Sequence, residues 1–487
     1  MKKRIFALVL ALIMLSCCFI SCSDNSDGDG KDTTVNTSAG TSGEDAGHGL
    51  PDVQYGKAVV VLTRKNEVYL KDVFVKSIDE QSTAVDKAVY NRNQIVESEF
   101  GVDFLSITAD DEKDMDTKIS TDVAAGESEY HIIAGHGRNM FSNAIAGNLI
   151  DWNELDYVDL DAEWWSNSAR EEWSTPGGKL YLMTGDISYM GVGSAPVMFF
   201  NKTYVADSQL KSPYDLVYDN EWTLEKFKQY VISLDATLEV QGTGSGDIAT
   251  DTFGYVTEQW RGPGYAPFCA GGKTLVLNES GVYELGQADE KTGNALQTYY
   301  ELVVQSGAVY YDTKTSISSI RNAFAGGAAA FYDDCISEAV KLKSSGVDFG
   351  IVPWPKYDSE QESYNLVVGC GTNAFGVLIN TKEEDREFIS VILEAMAYYG
   401  GTEVIPYYFD TVVSYQAFKD SDSIEMLKVV RRDLHYDFGG WSGFGNFTNV
   451  GRDVIKRNGT PASTILMEYA SASQAALDAW YALDKAE

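Results

Sequence analysis

The segment KAVVVLT, Lys57 to Thr63, is a run of apolar and β-branched residues that predicts a buried β-strand. Helical spacing of apolar residues follows from Ser82 to Phe100, and a second strand is predicted over Val102 to Ile107. A further helix is predicted over Glu112 to Ala125 and a third strand over Tyr130 to Ala134. Because strands joined through helices pair in parallel, this order predicts an α/β fold whose parallel sheet is covered by helices on both faces.

A second α/β pattern lies downstream. Its strands are predicted at Val197 to Phe200, Phe253 to Val256, Ala328 to Tyr332 and Phe349 to Val352. Helices are predicted after Thr223 and at Ala288 to Gln305, Ser316 to Ala325, Glu383 to Gly400, Ser421 to Leu434 and Pro461 to Ala486. The strands after Ala328 come too late in the chain to complete one continuous sheet, so we expect two α/β lobes built from interleaved segments.

Size and composition restrict the class of protein. The chain has 487 residues, more than a single typical domain, and its 44% hydrophobic and 12% aromatic residues are sufficient for two soluble lobes. It carries 72 acidic and 38 basic residues, which give a formal net charge of −34. Such a surface repels nucleic acid, so we expect no nucleic-acid partner.

The first residues have the pattern of an export signal. Lys2, Lys3 and Arg4 precede a nearly apolar stretch from Ile5 to Ile20, which is too short to span a membrane comfortably. A basic start followed by a short apolar region is typical of a cleaved signal peptide. We therefore exclude residues 1–21 from the fold and expect the mature protein at the extracellular face of the cell membrane.

The junction after this signal resembles the bacterial lipobox, an apolar stretch that ends in a small residue and a cysteine. Phe19 to Cys22 fits this pattern loosely, and so does Met14 to Cys17. We prefer Cys22 as the lipidated residue because a polar segment begins directly after it. Residues 22–54 are mostly small and polar and predict a disordered tether. A secreted protein with incidental cysteines is the alternative.

Polar side chains follow two strands of the first predicted sheet. Arg64 and Asn66 come after the first strand, and His136 and Arg138 come after the third. In an open parallel sheet, ligands bind beyond the carboxyl ends of the strands, so these four are candidate ligand-binding residues. Ordinary loop polarity is the alternative for each of them.

Six short motifs occur in an order found in one family of binding proteins. They are Asn93 to Glu97 with Phe100 to Val102, ISTDVAAGE (Ile119 to Glu127), GKLY (Gly178 to Tyr181), FNK (Phe200 to Lys202), FAGGAAAF (Phe324 to Phe331) and GIVPWP (Gly350 to Pro355). The chain resembles the bacterial extracellular solute-binding proteins of the carbohydrate type, the maltose-binding-protein-like family 1, which has many lipoprotein members. One departure is His131, where the family usually has Asp.

The resemblance implies a periplasmic-binding-protein-like fold of type II, with two lobes, a hinge and a ligand cleft between them. Residues 55–187 with 328–372 are expected to form the N-terminal lobe, and residues 188–327 with 373–487 the C-terminal lobe. The expected hinge segments are Gly185 to Ser194, Ala325 to Ala328 and Gly371 to Phe375.

The resemblance also implies capture of a sugar or oligosaccharide for an ABC importer. The expected partners are permease subunits in the membrane, and the chain is expected to be a monomer without a cofactor. In such sites polar side chains bind hydroxyl groups and aromatic rings stack on C–H surfaces. Further candidate contacts are therefore Tyr189, Trp260, Tyr332, Asp333 and Trp441. Core packing is the alternative for each aromatic residue.

Other functions stay open from the sequence. A carbohydrate-active hydrolase needs two carboxylates around one bond, whereas the adjacent pairs Asp110–Asp111 and Asp333–Asp334 would point to opposite faces of a strand. A sensor or adhesin could use the same fold without an importer. We assign no catalytic residue and, with four histidines, expect no histidine-based metal site. Cys269, Cys335 and Cys370 can form at most one disulfide among them. We favour buried free thiols for these residues.

Overall fold

A computed structural model describes residues 48–237, 246–279, 283–286, 289–314, 317–409, 418 and 420–485. The predicted signal peptide, Cys22, the alternative Cys17 and most of the predicted tether lie outside the described residues. The prediction that the tether extends to residue 54 is wrong. The His48 imidazole lies 2.9 Å from the Glu99 carboxylate, and Leu50 packs against a hydrophobic core, so this end of the segment has partners.

The elements alternate between strands and helices along the chain. The strands are β1 (Lys57–Arg64), β2 (Val102–Ala109), β3 (Ile132–His136), β4 (Pro196–Asn201), β5 (Phe253–Glu258), β6 (Leu275–Leu277), β7 (Tyr283–Leu285), β8 (Val309–Asp312), β9 (Ala329–Cys335), β10 (Phe349–Pro353), β11 (Leu366–Val367), β12 (Asn373–Gly376) and β13 (Leu434–His435). The α-helices are α1 (Glu67–Val73), α2 (Ala84–Phe100), α3 (Glu112–Ala125), α4 (Gly137–Ile145), α5 (Asn167–Trp173), α6 (Tyr189–Gly193), α7 (Lys202–Asp207), α8 (Pro213–Tyr218), α9 (Leu224–Thr237), α10 (Gly262–Tyr265), α11 (Glu290–Tyr300), α12 (Ile317–Ala325), α13 (Glu338–Leu342), α14 (Glu383–Tyr399), α15 (Ile405–Tyr407), α16 (Ser421–Arg432), α17 (Phe438–Ser442), α18 (Val450–Lys456) and α19 (Ala462–Ala482).

The first sheet has the strand order β12-β3-β1-β2. β1 pairs in parallel with both neighbours, with Val61 opposite Ser106 of β2 and opposite Ile132 of β3. β12 closes the sheet antiparallel to β3, with Phe375 opposite Ala134. The predicted parallel β-α-β-α-β arrangement is confirmed.

Local sequence fixes the ends of the two helices that connect these strands. α2 starts with a capping box between Thr83 and Asp86 and ends at Gly101, whose φ of 60° few other residues adopt. α3 starts at Asp111, whose side chain accepts a backbone hydrogen bond, and ends at Gly126. The chain enters β2 at Val102, directly after Gly101, whereas residues 127–131 separate Gly126 from β3.

The second sheet has the order β10-β4-β9-β5-β8. β5 pairs in parallel with β8 and β9, whereas β4 pairs antiparallel with β9 and β10. Every residue of β9 is buried. A strand buried along its whole length needs hydrogen-bond partners on both edges, and β4 and β5 supply them. The predicted assignment of residues 328–372 to the N-terminal lobe is therefore wrong for β9 and β10.

The prediction that residues 373–487 belong to the C-terminal lobe is wrong in part. β12 joins the first sheet, and Val391 of α14 lies in the hydrophobic core of that lobe. Met426 of α16 lies in the core of the second lobe. α19 contributes to both cores, with Ile465 in the second and Trp480 in the first. Segments from the last third of the chain thus contribute apolar residues to the cores of both lobes.

Short segments carry the chain from one sheet to the other. Residues 186–195 connect the first lobe to β4, and residues 368–372 connect β11 to β12. The predicted hinge at residues 185–194 overlaps the first of these connections. The predicted hinge at residues 371–375 overlaps the end of the second. The hinge predicted at residues 325–328 is wrong, because this segment connects α12 to β9 within the second lobe.

The three cysteines of the lobes are free thiols. Cys269 and Cys335 are buried and Cys370 is half-buried. The preference for free thiols over a disulfide is confirmed.

A buried carboxylate on α1 joins the two crossing segments. Asp72 Oδ2 accepts hydrogen bonds from Ser188 Oγ at 2.6 Å and from Asn373 Nδ2 at 2.8 Å. Asp72 Oδ1 accepts the Met190 backbone N–H at 3.3 Å. Burial raises the pKa of Asp72, and these hydrogen bonds and Arg92 oppose that shift. One side chain of the first lobe thus binds the connection at residues 186–195 and also Asn373, the first residue of β12 directly after the other connection.

We expect Asp72→Ala to lower the free energy of unfolding by about 3 kcal/mol, because its buried donors lose their acceptor. Chemical denaturation followed by circular dichroism measures this change. Asp103→Ala, at an exposed position of β2, is the control and should change the free energy by less than about 0.5 kcal/mol. Equal effects of the two substitutions would contradict the role of Asp72.

Candidate functional site

A cavity of about 290 Å³ lies between the two lobes. It lies beyond the carboxyl ends of β3 and β5, where parallel strands place ligands. Both lobes and the crossing segment before β12 contribute to its wall. The described lining residues are His136, Arg138, Trp260, Arg261, Gly264, Tyr265, Phe268, Val367, Val368, Gly369, Cys370, Gly371, Gly440 and Thr448.

His136 is the last residue of β3 and caps α4. Its Nδ1 accepts a hydrogen bond from the Arg138 backbone N–H at 3.2 Å. Burial lowers the pKa of His136 to about 4, so the ring is neutral at pH 7. A neutral imidazole whose Nδ1 accepts a hydrogen bond carries its proton on Nε2, which lies 3.8 Å from Cys370 Sγ. His136 therefore presents an N–H donor at the cavity wall.

Arg138 is exposed in the first turn of α4. Its side chain lies against Gly443, where an added Cβ would come within 2.4 Å of Nε. Among the described residues, no carboxylate forms an ion pair with its guanidinium within 4.0 Å. The positive charge of Arg138 is thus available to a ligand.

Trp260 gives the cavity a flat apolar surface. All nine tryptophans lie in the described residues, and Trp260, at 48% exposure, is the exposed one. Its backbone N–H donates to Glu258 at 3.0 Å, and the Arg452 guanidinium carbon lies 4.2 Å from its ring centre. An exposed, held aromatic ring beside polar groups suits stacking on the C–H face of a sugar.

Arg261 is held at the cavity by a buried carboxylate. Its Nε donates to Asp334 Oδ1 at 2.6 Å, and Asp334 is fully buried on β9. Asp334 also accepts hydrogen bonds from the Tyr332 hydroxyl and from the Cys335 backbone N–H. The second lobe therefore fixes the guanidinium through Nε, and no described group forms a hydrogen bond with its two Nη nitrogens.

Three of the predicted contacts belong to the core instead. Tyr332 is 1% exposed, and Asp333 is fully buried beside it on the central strand β9, where burial raises the pKa of Asp333 to about 7. Trp441 is also fully buried, and its indole N–H donates to the Val368 carbonyl at 2.7 Å. The prediction for Trp441 is wrong because its glycine-rich segment forms the buried helix α17 and packs closely on Gly137.

The remaining predicted contacts lie outside the cavity lining. Arg64 is neutralised by Glu112, with 2.9 Å between Nη1 and Oε1. Asn66 caps α1 by accepting a backbone hydrogen bond. Tyr189 is half-buried in the crossing segment, with its ring centre 5.2 Å from that of Tyr408. Of the nine predicted contacts, the cavity brings together His136, Arg138 and Trp260.

Other lining residues were missed from the sequence. Arg261 and Tyr265 belong to the loop WRGPGY that begins at Trp260, so their position next to a candidate was an available signal. Residues 367–371 (VVGCG) line the cavity because they form the crossing segment, which only the three-dimensional pairing of β11 and β12 reveals. No sequence signal marked Thr448.

A group of potential metal ligands lies apart from this cavity. One ligand atom each of Glu172, His435 and Asp437 lies within 4.8 Å of the others, and all three residues are buried. Lys273 Nζ, however, lies 2.8 Å from Glu172 Oε1. Burial raises the pKa of Glu172, but His435 and Lys273 outweigh it and hold the pKa below its usual value. Because the Lys273 ammonium supplies a positive charge there, we interpret these side chains as an ion-pair network and not as a metal site.

We expect protonation of His136 to destabilise the protein in mild acid. Its folded pKa of about 4 lies below the unfolded value of 6.5, so the stabilisation is full above pH 6.5 and is lost as the pH falls toward 4. His136→Asn keeps a good helix cap but does not titrate. The wild-type advantage over this variant in unfolding free energy should fall by about 3 kcal/mol between pH 7 and pH 4. Denaturant titrations across this range test it, and a constant difference would contradict it.

Comparisons with known proteins place this geometry in a known fold. No family model matches the chain, and no curated protein matches it in sequence. Among solved structures, the cyclic α-maltosyl-1,6-maltose binding protein from Arthrobacter globiformis matches with a TM-score of 0.57 and 15% identity, over 86% of this chain and 98% of that one. An ABC substrate-binding protein from Listeria monocytogenes in complex with cycloalternan matches with a TM-score of 0.55 and 13% identity, over 87% and 99%. UgpB from Mycobacterium tuberculosis in complex with glycerophosphocholine matches with a TM-score of 0.53 and 16% identity, over 82% and 96%. The chain therefore has the two-lobed, type II α/β fold that extracellular solute-binding proteins share.

Proposed function

We propose that this chain is the solute-binding component of an ABC importer and captures a sugar or small oligosaccharide between its lobes. The observation that carries the proposal is the composition of the cavity. One exposed ring, Trp260, and N–H donors from both lobes, His136, Arg138 and Arg261, surround the same space. The ring suits the C–H face of a sugar, and the donors suit its oxygen atoms.

The size and backbone of the cavity support a small saccharide. A volume of about 290 Å³ lies just below the range of roughly 300–1,000 Å³ for small-molecule sites, which favours a small ligand. Glycines at positions 264, 369, 371 and 440 contribute to the lining. Without side chains, they let a ligand approach backbone N–H and C=O groups closely.

The structural neighbours support the same class of ligand. The Arthrobacter globiformis protein binds cyclic α-maltosyl-1,6-maltose, and the Listeria monocytogenes protein was solved with cycloalternan. UgpB was solved with glycerophosphocholine, so related folds also hold a ligand with a phosphate group. A sugar or a sugar derivative is therefore the ligand class that we propose.

Binding without turnover fits the cavity better than hydrolysis. Most glycosidases place two carboxyl groups about 5–9.5 Å apart around the bond that breaks. The described lining of this cavity contains no Asp or Glu. Asp333 and Asp334 are fully buried within β9, and Asp334 is engaged by Arg261.

The proposal extends to location and partners. The export signal and the lipobox-like junction support attachment through a lipid on Cys22, at the extracellular face of the membrane. The net charge of −34 is suited to a soluble monomer outside the cell. Permease subunits would receive the ligand there.

We expect Trp260→Ala to weaken saccharide binding by about tenfold, because the stacking surface is lost. The ligand is first found by a thermal-shift screen against mono- and oligosaccharides, uronates, sugar phosphates and amino acids. Isothermal titration calorimetry then gives the Kd of the best ligand for wild type and variant.

Tyr218→Ala is the matched control, because it removes a ring that is 53% exposed on the same lobe but outside the cavity. Its Kd should equal that of wild type. Breakdown of the ligand during titration would support a hydrolase instead. An unchanged Kd in Trp260→Ala would remove this cavity as the binding site.

We expect Cys22→Ser to release the protein from the membrane fraction into the medium, because the lipid would have no attachment point. Cys17→Ser is the matched control and should leave the protein in the membrane fraction. Fractionation and incorporation of labelled palmitate report the result. Release by Cys17→Ser alone would move the lipid to Cys17, and release without any label in wild type would contradict lipidation.

A further inference from the structure

The charge of the cavity is opposite to that of the protein. The chain has 72 acidic and 38 basic residues, yet the described lining includes two arginines, one histidine and no carboxylate. A part of the surface with the average composition of this chain would contain more acidic than basic residues. The described lining therefore carries cationic side chains and no carboxylate, although Asp334 behind it pairs with Arg261, so Arg138 supplies the charge without a partner.

A ligand could neutralise the positive charge of Arg138. No described carboxylate pairs with it, although it lies at the edge of the space that a ligand would fill. A ligand that displaces water from an unpaired guanidinium binds more favourably when it supplies a negative charge in place of that water. A neutral sugar provides hydroxyl groups but no charge.

Arg261 contributes a second guanidinium from the other lobe. Its Nε is bound to buried Asp334, and no described group forms a hydrogen bond with its Nη nitrogens. An anion can accept two parallel hydrogen bonds from a planar guanidinium, which is a strong and directional contact. An anion bound by Arg138 and Arg261 would also connect the first lobe to the second.

The other side chains of the lining add donors more than acceptors. His136 is neutral and carries its proton on Nε2, which is directed to the cavity wall. Thr448 supplies a hydroxyl group, which can both donate and accept, whereas the Tyr265 hydroxyl lies 3.8 Å from Cys335 Sγ. A ligand with many acceptor oxygens can therefore accept hydrogen bonds from these donors. A neutral sugar also carries hydroxyl donors, for which the described lining offers no carboxylate.

We propose that the natural ligand is a saccharide with an anionic group, a carboxylate or a phosphate ester, held between Arg138 and Arg261 with its ring on Trp260. This inference rests on the proposed function and names the ligand class of the same cavity. The net charge of −34 repels anions at long range, so the preference arises from contact with the two guanidinium groups rather than from attraction at a distance.

Paired probes that differ in charge test the proposal. Digalacturonate is compared with galactobiose, and glucose 6-phosphate with glucose, by isothermal titration calorimetry of the purified chain. The charged member of at least one pair should bind about tenfold more tightly or better. The carboxylate pair and the phosphate pair show which anion the site accepts.

Arg138→Gln should abolish this preference, because it should weaken binding of the charged member by about tenfold more than binding of the neutral member. Arg457→Gln is the matched control, because Arg457 lies outside the cavity and pairs with Glu468 at 2.6 Å. It should leave both Kd values unchanged. Thermal unfolding verifies that each variant is folded, and Arg138→Lys, which keeps the charge but loses the planar fork, should show an intermediate preference.

The outcomes separate the two proposals. Equal binding of charged and neutral members, with loss of both in Trp260→Ala, would overturn the anionic ligand and keep the sugar-binding function. A preference that survives in Arg138→Gln would overturn the assignment to Arg138. Absence of binding by every saccharide, charged or neutral, would contradict the proposed function itself.

Discussion

The carboxylate of Asp72 lies fully buried between α1 and the two segments that connect the lobes. Arg92, also fully buried, donates to the Ile187 carbonyl at 2.9 Å and so holds one of these segments from a second direction. Burial lowers the pKa of Arg92 to about 10, and Asp72 opposes that shift. Because a buried polar group that loses its partner is costly, these contacts restrict rearrangement of the connectors. A rotation of one lobe against the other must pivot close to them.

The same connectors form part of the cavity wall. Gly369, Cys370 and Gly371 line the space, and Asn373, two residues later, donates to Asp72. The cavity wall and the connection between the lobes therefore share a stretch of a few residues. The polar side chains of the lining are placed by each lobe separately, His136 by the end of β3 and Arg261 by the buried carboxylate behind it. Each lobe therefore holds its part of the cavity lining through contacts within that lobe.

Local pattern was enough to predict the longer elements, but it missed short strands such as β11 to β13 and did not show which strands pair. The β-branched runs and helical spacings predicted β1 to β3 and the helices between them, because such periodicity reflects burial on one or both faces. Sheet membership depends on contacts between distant segments, so β9 and β10 were assigned to the wrong lobe. In the site, the rule for strand ends predicted His136 and Arg138, and loop composition predicted Trp260. Trp441 was misjudged because glycines near an aromatic residue indicate close packing as readily as an open loop.

α19 contributes Ile465 and Leu466 to one core and Leu477 and Trp480 to the other. Neither core is complete until this helix has been synthesised, although β1 lies more than 400 positions earlier in the chain. A chain without α19 lacks these contacts in both cores, so complete packing of either lobe requires contacts between segments far apart in the sequence. For the export that we propose, this dependence on the end of the chain is an advantage, because a polypeptide that crosses a membrane in extended form must not complete its packing before it has crossed.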